Sequence, residues 1–530
     1  MKSRVIPYIS NTTKHYRMAF QVNNELTRRE RKARRRIEAR LRQARRREDT
    51  GSPTLSDTTV TYEMADRTRA MSFGGLAAVH KLACSVGLVK AIDESVEVLK
   101  IHRPYHESDH VLNIAYNMFC GGQTLEDIEL RRNDEVFLDA LDVDAIPDPT
   151  TAGDFCRRFA PSDIIDLMDA VNQSRVEVWR RQGADFFARG AIIDADGSFV
   201  PTNGECKEGM SLTYKGTWGY HPLLISLANT QEPLFIINRG GGRPSHEGAA
   251  AYLDRAIELC RRAGFSDVLL RGDTDFSQTA HLDRWDDDGV RFVFGYDAMR
   301  NMKDLAKDLD AGEYSELERR AKRAFVDESL RRARPIRHKE EVVRKKGYKN
   351  IRLRSEDIAE FEYRPTVCAR PYRVVVVRKN LTVEKGENVL FDDVRYFFYI
   401  SNDRKMSAAE IVHQSNDRCN QENLIAQLKN GVRALHAPVN TLNANWAYMV
   451  MASIAWSLKA WMALCVPVSP RWRGKHEDER DRWLRMDFRT FRHAVIDIPV
   501  QILNSGRRRI WRFLAWRPDL HILVRLFEGL

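Results

Sequence analysis

Apolar residues recur near every 3.6 positions through residues 66–180. Stretches such as LAAVHKLACSVGLVKAI and DHVLNIAYNMFCGG place them on one face, which predicts amphipathic helices. The period changes at Ala191. AIIDADGSFV reads as a short apolar strand, SLTYKGTWGYHPLLISLAN as a strand pair, and PLFIINRGGG as a strand ending in glycines. GAAAYLDRAIELCRRAGF then gives an amphipathic helix and DVLLRGDTDF a buried strand, followed by one more helix (HLDRWDDDGV) and strand (RFVFGYDAM). Strands alternating with helices predict a layered α/β core. Residues 300–360 interrupt it with a strongly charged region. From Phe361 to Ile400 the pattern is β-like, with YRVVVVRKN and VRYFFYIS as strands and EKGEN as a turn. Ser407 and Glu410 fit a capping box opening a helix to about Asn430, and a second long helix covers 441–464. The most apolar stretch, Trp446 to Val466, carries Lys459 and reads as a buried helix rather than a membrane span.

These shifts predict six regions. A basic arm and linker (1–60) precede a helical domain (61–185) assigned to DNA binding. A first core part (186–299), a charged and β-rich insertion (300–403), core helices (404–466) and a basic C-terminal region for DNA or dimer contacts (467–530) follow. Over 530 residues, 43% hydrophobic and 30% charged composition supports a sizeable core and argues against global disorder. The net charge is +11, from 85 Lys+Arg against 74 Asp+Glu, which favours a polyanionic partner. Residues 28–47 hold twelve Arg or Lys, among them Arg34, Arg35 and Arg36; the run reads either as a solvated arm or as a segment that orders on nucleic acid. Further basic clusters lie at 319–346, including Arg344, Lys345 and Lys346, and in the Arg- and Trp-rich tail from 507. Eight cysteines form no C-x-x-C pair, and MKSRVIPYIS has no apolar run of a signal peptide. The expectation is a reduced, cytoplasmic protein.

The informative chemistry is a set of carboxylates. Asp194 and Asp196 are two apart on an apolar strand, so they share a face, where a carboxylate is expensive unless paired or holding a cation. Asp273 ends another apolar strand, where open α/β sheets place their sites. The plainer reading of each is an Asp making a strand-end turn. In SNDRCNQENLIAQLKNG, Arg418, Glu422 and Lys429 fall on one helical stripe. Read plainly, that is a solvent-facing Arg–Glu pair worth a few tenths of a kcal/mol.

Taken together, Asp-Gly-Ser at 196–198, Arg-x-Asp at 271–273 and Arg(3)Glu(6)Lys at 418–429 resemble the DDE transposases of bacterial insertion sequences. More narrowly, the chain is similar to insertion-sequence group thirteen-eighty, of the Tyr(2)Arg(3)Glu(6)Lys signature branch. The resemblance covers about residues 66–466. The acids stand 77 residues (196 to 273) and 149 residues (273 to 422) apart, and the long second gap matches a branch with a mostly β insertion there. Where the signature has Tyr, this chain has Ser415.

The resemblance implies an α/β fold: an RNase H-like mixed-sheet core interrupted by a β-rich insertion, between helical N-terminal and C-terminal regions. It implies that Asp196, Asp273 and Glu422 are catalytic and hold two Mg²⁺, with Mn²⁺ able to substitute and Asp194 as a further metal-ligand candidate. Arg418 and Lys429 would contact phosphate. The partners implied are double-stranded DNA, as terminal inverted repeats and target, and a second copy in a synaptic homodimer, at the bacterial nucleoid. The implied activity is cleavage and strand transfer, with hairpin ends as one route. The alternatives are an RNase H-fold nuclease that does not join, and a catalytically idle DNA-binding protein. Trp218 and Tyr220 are read as core or turn residues ahead of base stacking, and the GGGRPSHEG loop as a tight turn ahead of a phosphate cradle.

Overall fold

The computed structural model describes residues 28–29, 31–46, 60–63, 68–202, 204–213, 216–318, 338–386, 388–505 and 508–530, with the side chains of 339, 340, 344 and 419 excepted. The chain divides into two compact units. One comprises Met1–Gln182, Gly204–Gly209 and Ala426–Leu530; the other comprises Gly183–Asn203 and Met210–Ile425.

The second unit is built on one mixed sheet. Its strands are β1 (Ala191–Gly197), β2 (Leu223–Leu227), β3 (Glu232–Ile237), β4 (Val268–Gly272), β5 (Arg291–Tyr296), β6 (Lys349–Tyr363), β7 (Tyr372–Lys385) and β8 (Asn388–Ser401). Their order is β6-β7-β8-β5-β4-β1-β2-β3, with a two-residue strand, Ser315–Glu316, on the outer edge of β6. β1, β2 and β3 form an antiparallel meander, whereas β4 lies parallel to β1, and β5 parallel to β4. Parallel neighbours need crossovers. Helix α1 (Ala249–Ala263) leads into β4, and the short helix α2 (Leu282–Asp287) links β4 to β5. The central strands are apolar because they are covered: all five residues of β2 and of β4 are buried.

The three long strands β6, β7 and β8 extend this sheet. β8 pairs antiparallel with β5, so the ladder runs unbroken from the core into the three long strands. The charged reading of 300–360 is corrected here, since KNIRLRSEDIAEFEY is the first of those strands. Its alternation with charge hid a period of two. The charged segment 319–337 lies outside the described residues, as do the 49–59 linker and Arg507.

Helix α3 (Ala408–Asp417) opens as predicted, with Ser407 capping it through the Glu410 amide. Its Ile411 and Val412 pack with Leu269 of β4, Val293 of β5, and Val375 and Val377 of β7. That packing fixes α3 over the junction between strands β4–β5 and the three long strands. The single helix expected to reach Asn430 is divided: α3 ends at Asp417, Arg418 is the junction, and α4 (Cys419–Asn430) follows.

The first unit is mostly helical. Helix Leu442–Leu464 is 23 residues long and apolar enough by composition to cross a membrane, yet its most apolar window is entirely buried. It packs against Glu107–Phe119, Pro149–Arg157 and Pro161–Arg180. Lys459 lies within it, fully buried; its Nζ donates to the Leu484 carbonyl at 2.5 Å, and burial pushes its pKa down to about 7. The C-terminal region is less helical than the resemblance implied. Val500–Ser505 and Arg508–Phe513 form a hairpin that pairs with Ala70–Met71. RRIWRF alternates exposed and half-buried positions, which is how an Arg-rich stretch can be a strand.

Candidate active site

β1 and β4 are parallel neighbours, so their C-terminal ends lie side by side. Asp196 is the penultimate residue of β1, and Asp273 directly follows β4. Gly272 allows the tight turn there: a Cβ on it would stand 2.6 Å from the Phe276 Cβ. Asp273 caps the 3₁₀ turn Thr274–Phe276, its Oδ1 accepting from the Asp275 amide at 3.0 Å. The turn role is therefore real, and it occupies only one of the two carboxylate oxygens.

Both acids meet Arg418. Its Nη1 donates to Asp196 Oδ2 at 3.3 Å, and its Nη2 is 3.8 Å from Asp273 Oδ2. The position at the α3–α4 junction explains this: its guanidinium turns to the strand ends instead of lying along its own helix. Glu422, in the first turn of α4, is exposed. Burial pushes the Asp196 carboxyl up to about 6; Arg418 opposes the shift, and the charges of Asp273 and Glu422 add to it. Asp273 is raised too, chiefly by burial and against the pull of Arg418. One guanidinium thus serves an acidic cluster that wants more positive charge.

Asp194, two residues earlier on β1, is different. Arg271 lies opposite it in the β1–β4 register. Arg271 Nε donates to Oδ1 at 2.7 Å and Nη2 to Oδ2 at 2.8 Å, while Nη1 donates to the Gln414 carbonyl on α3 at 2.9 Å. Both side chains are nearly fully buried. With both oxygens bound to a fork, Asp194 is committed to holding β1, β4 and α3 together, which speaks against its reading as a metal ligand. Arg271 belongs to the Arg-x-Asp motif, but no local signal in the sequence marks it as this partner.

Among the described residues, the acid and imidazole ligand atoms that gather within 4.8 Å belong to Asp93, His106 and Glu107 in the other unit. Asp196, Asp273 and Glu422 do not draw that close, and Arg418 bridges the first two.

The remaining candidates fall elsewhere. Arg34, Arg35 and Arg36 are exposed on a helix over residues 31–45, where Arg34 Nε pairs with Glu38 at 2.9 Å. Arg344 and Lys345 belong to the helix His338–Lys345, with Lys345 exposed and 4.0 Å from Glu341; Lys346 is exposed just after it. Lys429 is half-buried near the end of α4, and its carbonyl accepts from His436 Nε2 at 2.9 Å. Ser415 lies in the last turn of α3, half-buried. Tyr220 is fully buried, as a core role requires, while Trp218 is 52% exposed. The GGGRPSHEG loop turns into α1 through Gly248, at φ +75°.

Residues 53–530 match the family described as Transposase DDE domain group 1. No curated protein matches the chain. Among solved structures, the cryo-EM structure of the piggyBac transposase synaptic complex with hairpin DNA is similar at 10% identity and a TM-score of 0.34, covering 81% of this chain and 83% of that one. The family match spans nearly the whole sequence and both units, and on it the chain belongs to the DDE transposases, enzymes that bind DNA and cut and transfer its strands.

Proposed function

We propose that this protein binds the terminal inverted repeats of a bacterial insertion sequence of the thirteen-eighty group and moves it by metal-dependent cleavage and strand transfer. The observation that carries the reading is the meeting of Asp196 and Asp273, from the ends of adjacent parallel strands, on one guanidinium, with Glu422 close enough to act on Asp196. The strand order β3-β2-β1-β4-β5, a meander followed by two parallel strands, supports an RNase H-like core. The unbroken ladder into β6–β8 supports an insertion between the second Asp and the Glu.

Asp196, Asp273 and Glu422 supply hard oxygen donors, the donor type Mg²⁺ takes, and a guanidinium already balances two of them. They would hold two Mg²⁺ (or Mn²⁺), which would supply activation of an attacking water or 3′-OH and stabilisation of the leaving oxygen. Arg418 is placed to exchange carboxylate for a phosphate of the cleaved end, and Lys429 is assigned the same partner. The first cut frees a 3′-OH at the element end. That 3′-OH attacks the opposite strand to give a hairpin and, after reopening, attacks target DNA. The exposed Arg34–Arg36 helix and the 338–346 segment grip flanking phosphates. Two copies act together in a synaptic complex at the nucleoid.

The test incubates purified protein, Mg²⁺, element-end duplex and a supercoiled target. Cleavage and joined product are expected. Asp196→Ala, Asp273→Ala and Glu422→Ala should each abolish cleavage while end binding persists. A variant that cleaves near the wild-type rate removes that residue from the assignment, and nicking that never yields joined product replaces the transposase reading with a nuclease.

A further inference from the structure

A second group of ligand-type side chains lies in the helical unit, on residues that the DNA chemistry leaves unused. Asp93 sits in the helix Leu88–Ser95, and Glu107 opens the helix Glu107–Phe119 directly after His106. One ligand atom from each of Asp93, His106 and Glu107 lies within 4.8 Å of the others. His102 Nε2 is 3.3 Å from Glu107 Oε2, and its ring stacks on that of His106 with centroids 5.1 Å apart and planes 10° from parallel. Two carboxylates and the His106 imidazole therefore converge from two helices and the loop between them, with the His102 ring stacked beside His106 and its Nε2 against Glu107.

The carboxylates are held but not neutralised. Glu107 is 1% exposed, and its Oε1 accepts from the Leu99 amide at 3.0 Å. Asp93 accepts from the Ser108 amide at 2.8 Å and from Ser108 Oγ at 2.9 Å. A carboxylate oxygen has two lone-pair sites, so these bonds orient the group and leave capacity for a cation. Among the described residues no lysine or arginine pairs with Asp93 or Glu107; the only ion-pair partner of Glu107 is His102. Burying a carboxylate without a full counter-charge is costly, and a bound cation removes that cost. Mixed nitrogen and oxygen donors select Zn²⁺ over Mg²⁺, which prefers oxygen ligands and retains its waters. The Leu99 and Ser108 hydrogen bonds are of the kind that fix ligand orientation around a metal.

We propose that Asp93, His106 and Glu107 bind one Zn²⁺, with His102 stacked on His106 and held to Glu107 as a positioning residue, a site that ties the loop 96–106 to the helices on either side of it. It is separate in residues and in metal preference from Asp196, Asp273 and Glu422.

The test uses the full chain carrying Asp196→Ala and Asp273→Ala, so that the strand-end carboxylates cannot hold the metal. Protein is equilibrated with micromolar Zn²⁺ and excess Mg²⁺, desalted, and its metal measured by mass spectrometry. One Zn²⁺ per chain is expected. Adding His102→Ala and His106→Ala should bring it near zero; both histidines are exposed, so the fold is expected to survive, which circular dichroism checks. Asp93→Asn gives a second route to the same loss. Co²⁺ loading should produce the intense visible bands of tetrahedral coordination, and Zn²⁺ should raise the melting temperature only where the histidines are present. Protein that retains no stoichiometric zinc, or keeps it after both histidines are removed, would overturn the site.

Discussion

Two aspartates on one strand, two residues apart, are both pushed up in pKa by burial, yet they are paired in different ways. Asp194 is nearly sealed from solvent and gripped by both arms of Arg271. Asp196 is more open, shares a single guanidinium with Asp273 at looser distances, and has its pKa pushed up to about 6. The first arrangement is complete and has no room for another ligand. The second is under-compensated, and a group left short of positive charge is one that can take up a cation. The contrast separates a carboxylate that builds the fold from one that is available for chemistry, although the sequence D-A-D presents them as equals.

The sharpest way to break this comparison is to neutralise each acid. Asp196→Asn should lower DNA cleavage by on the order of 10³-fold or more, as loss of a central electrostatic group does, while leaving the protein folded and at neutral pH no less stable. Asp194→Asn should do the reverse. It orphans the buried Arg271 charge and should destabilise the unit by about 3–5 kcal/mol, read from urea unfolding; Asp194→Asn with Arg271→Met should be milder than either alone. If Asp194→Asn unfolds at wild-type denaturant concentrations, the structural role fails.

The next effect is a pH signature. Asp196 has a folded pKa near 6, above its unfolded value. The folded state therefore binds more protons between about pH 4 and pH 6. Stability contributed by this group is present below pH 4 and lost as pH rises through 6, a fall of about 3 kcal/mol. Asp196→Asn should flatten that part of the stability profile, and Mg²⁺ should flatten it in the wild type. Asp194 should show no comparable response to Mg²⁺. The smallest effect concerns cations that face solvent. Replacing Arg34, Arg35 and Arg36 by Ala should reduce the slope of log affinity for DNA against log salt by up to about 3, one for each phosphate no longer neutralised. An unchanged slope would take that helix out of the DNA interface.

Much of the sheet was legible because its strands carry local signals. AIIDADG, VLLRG and RFVFGY are apolar runs of strand length, and the helix Ala249–Ala263 shows its period plainly. Lys349–Tyr363 was hidden because a surface strand with charges on one side looks like a charged loop when read for hydrophobic runs. The placement of Asp196 and Asp273 at strand ends could be read, but their neighbours could not. Arg271 and Arg418 reach their partners through register and through a helix junction, neither of which is written in local composition. The pairing expected for Arg418 along its own helix gave way to tertiary interaction. The group at Asp93, His102, His106 and Glu107 left a visible trace, a His-x-x-x-His-Glu run, that gains meaning only once Asp93 is brought beside it.

The ladder that joins β8 to β5 has a mechanical consequence. A tethered module can bind its ligand and swivel; strands sharing one continuous sheet cannot. Whatever grasps the far end of the three long strands is held at a fixed offset from the strand beside Asp273, as a jig holds a workpiece against a blade. A change in the length of those strands would therefore shift where that partner lies, in steps of one residue's rise.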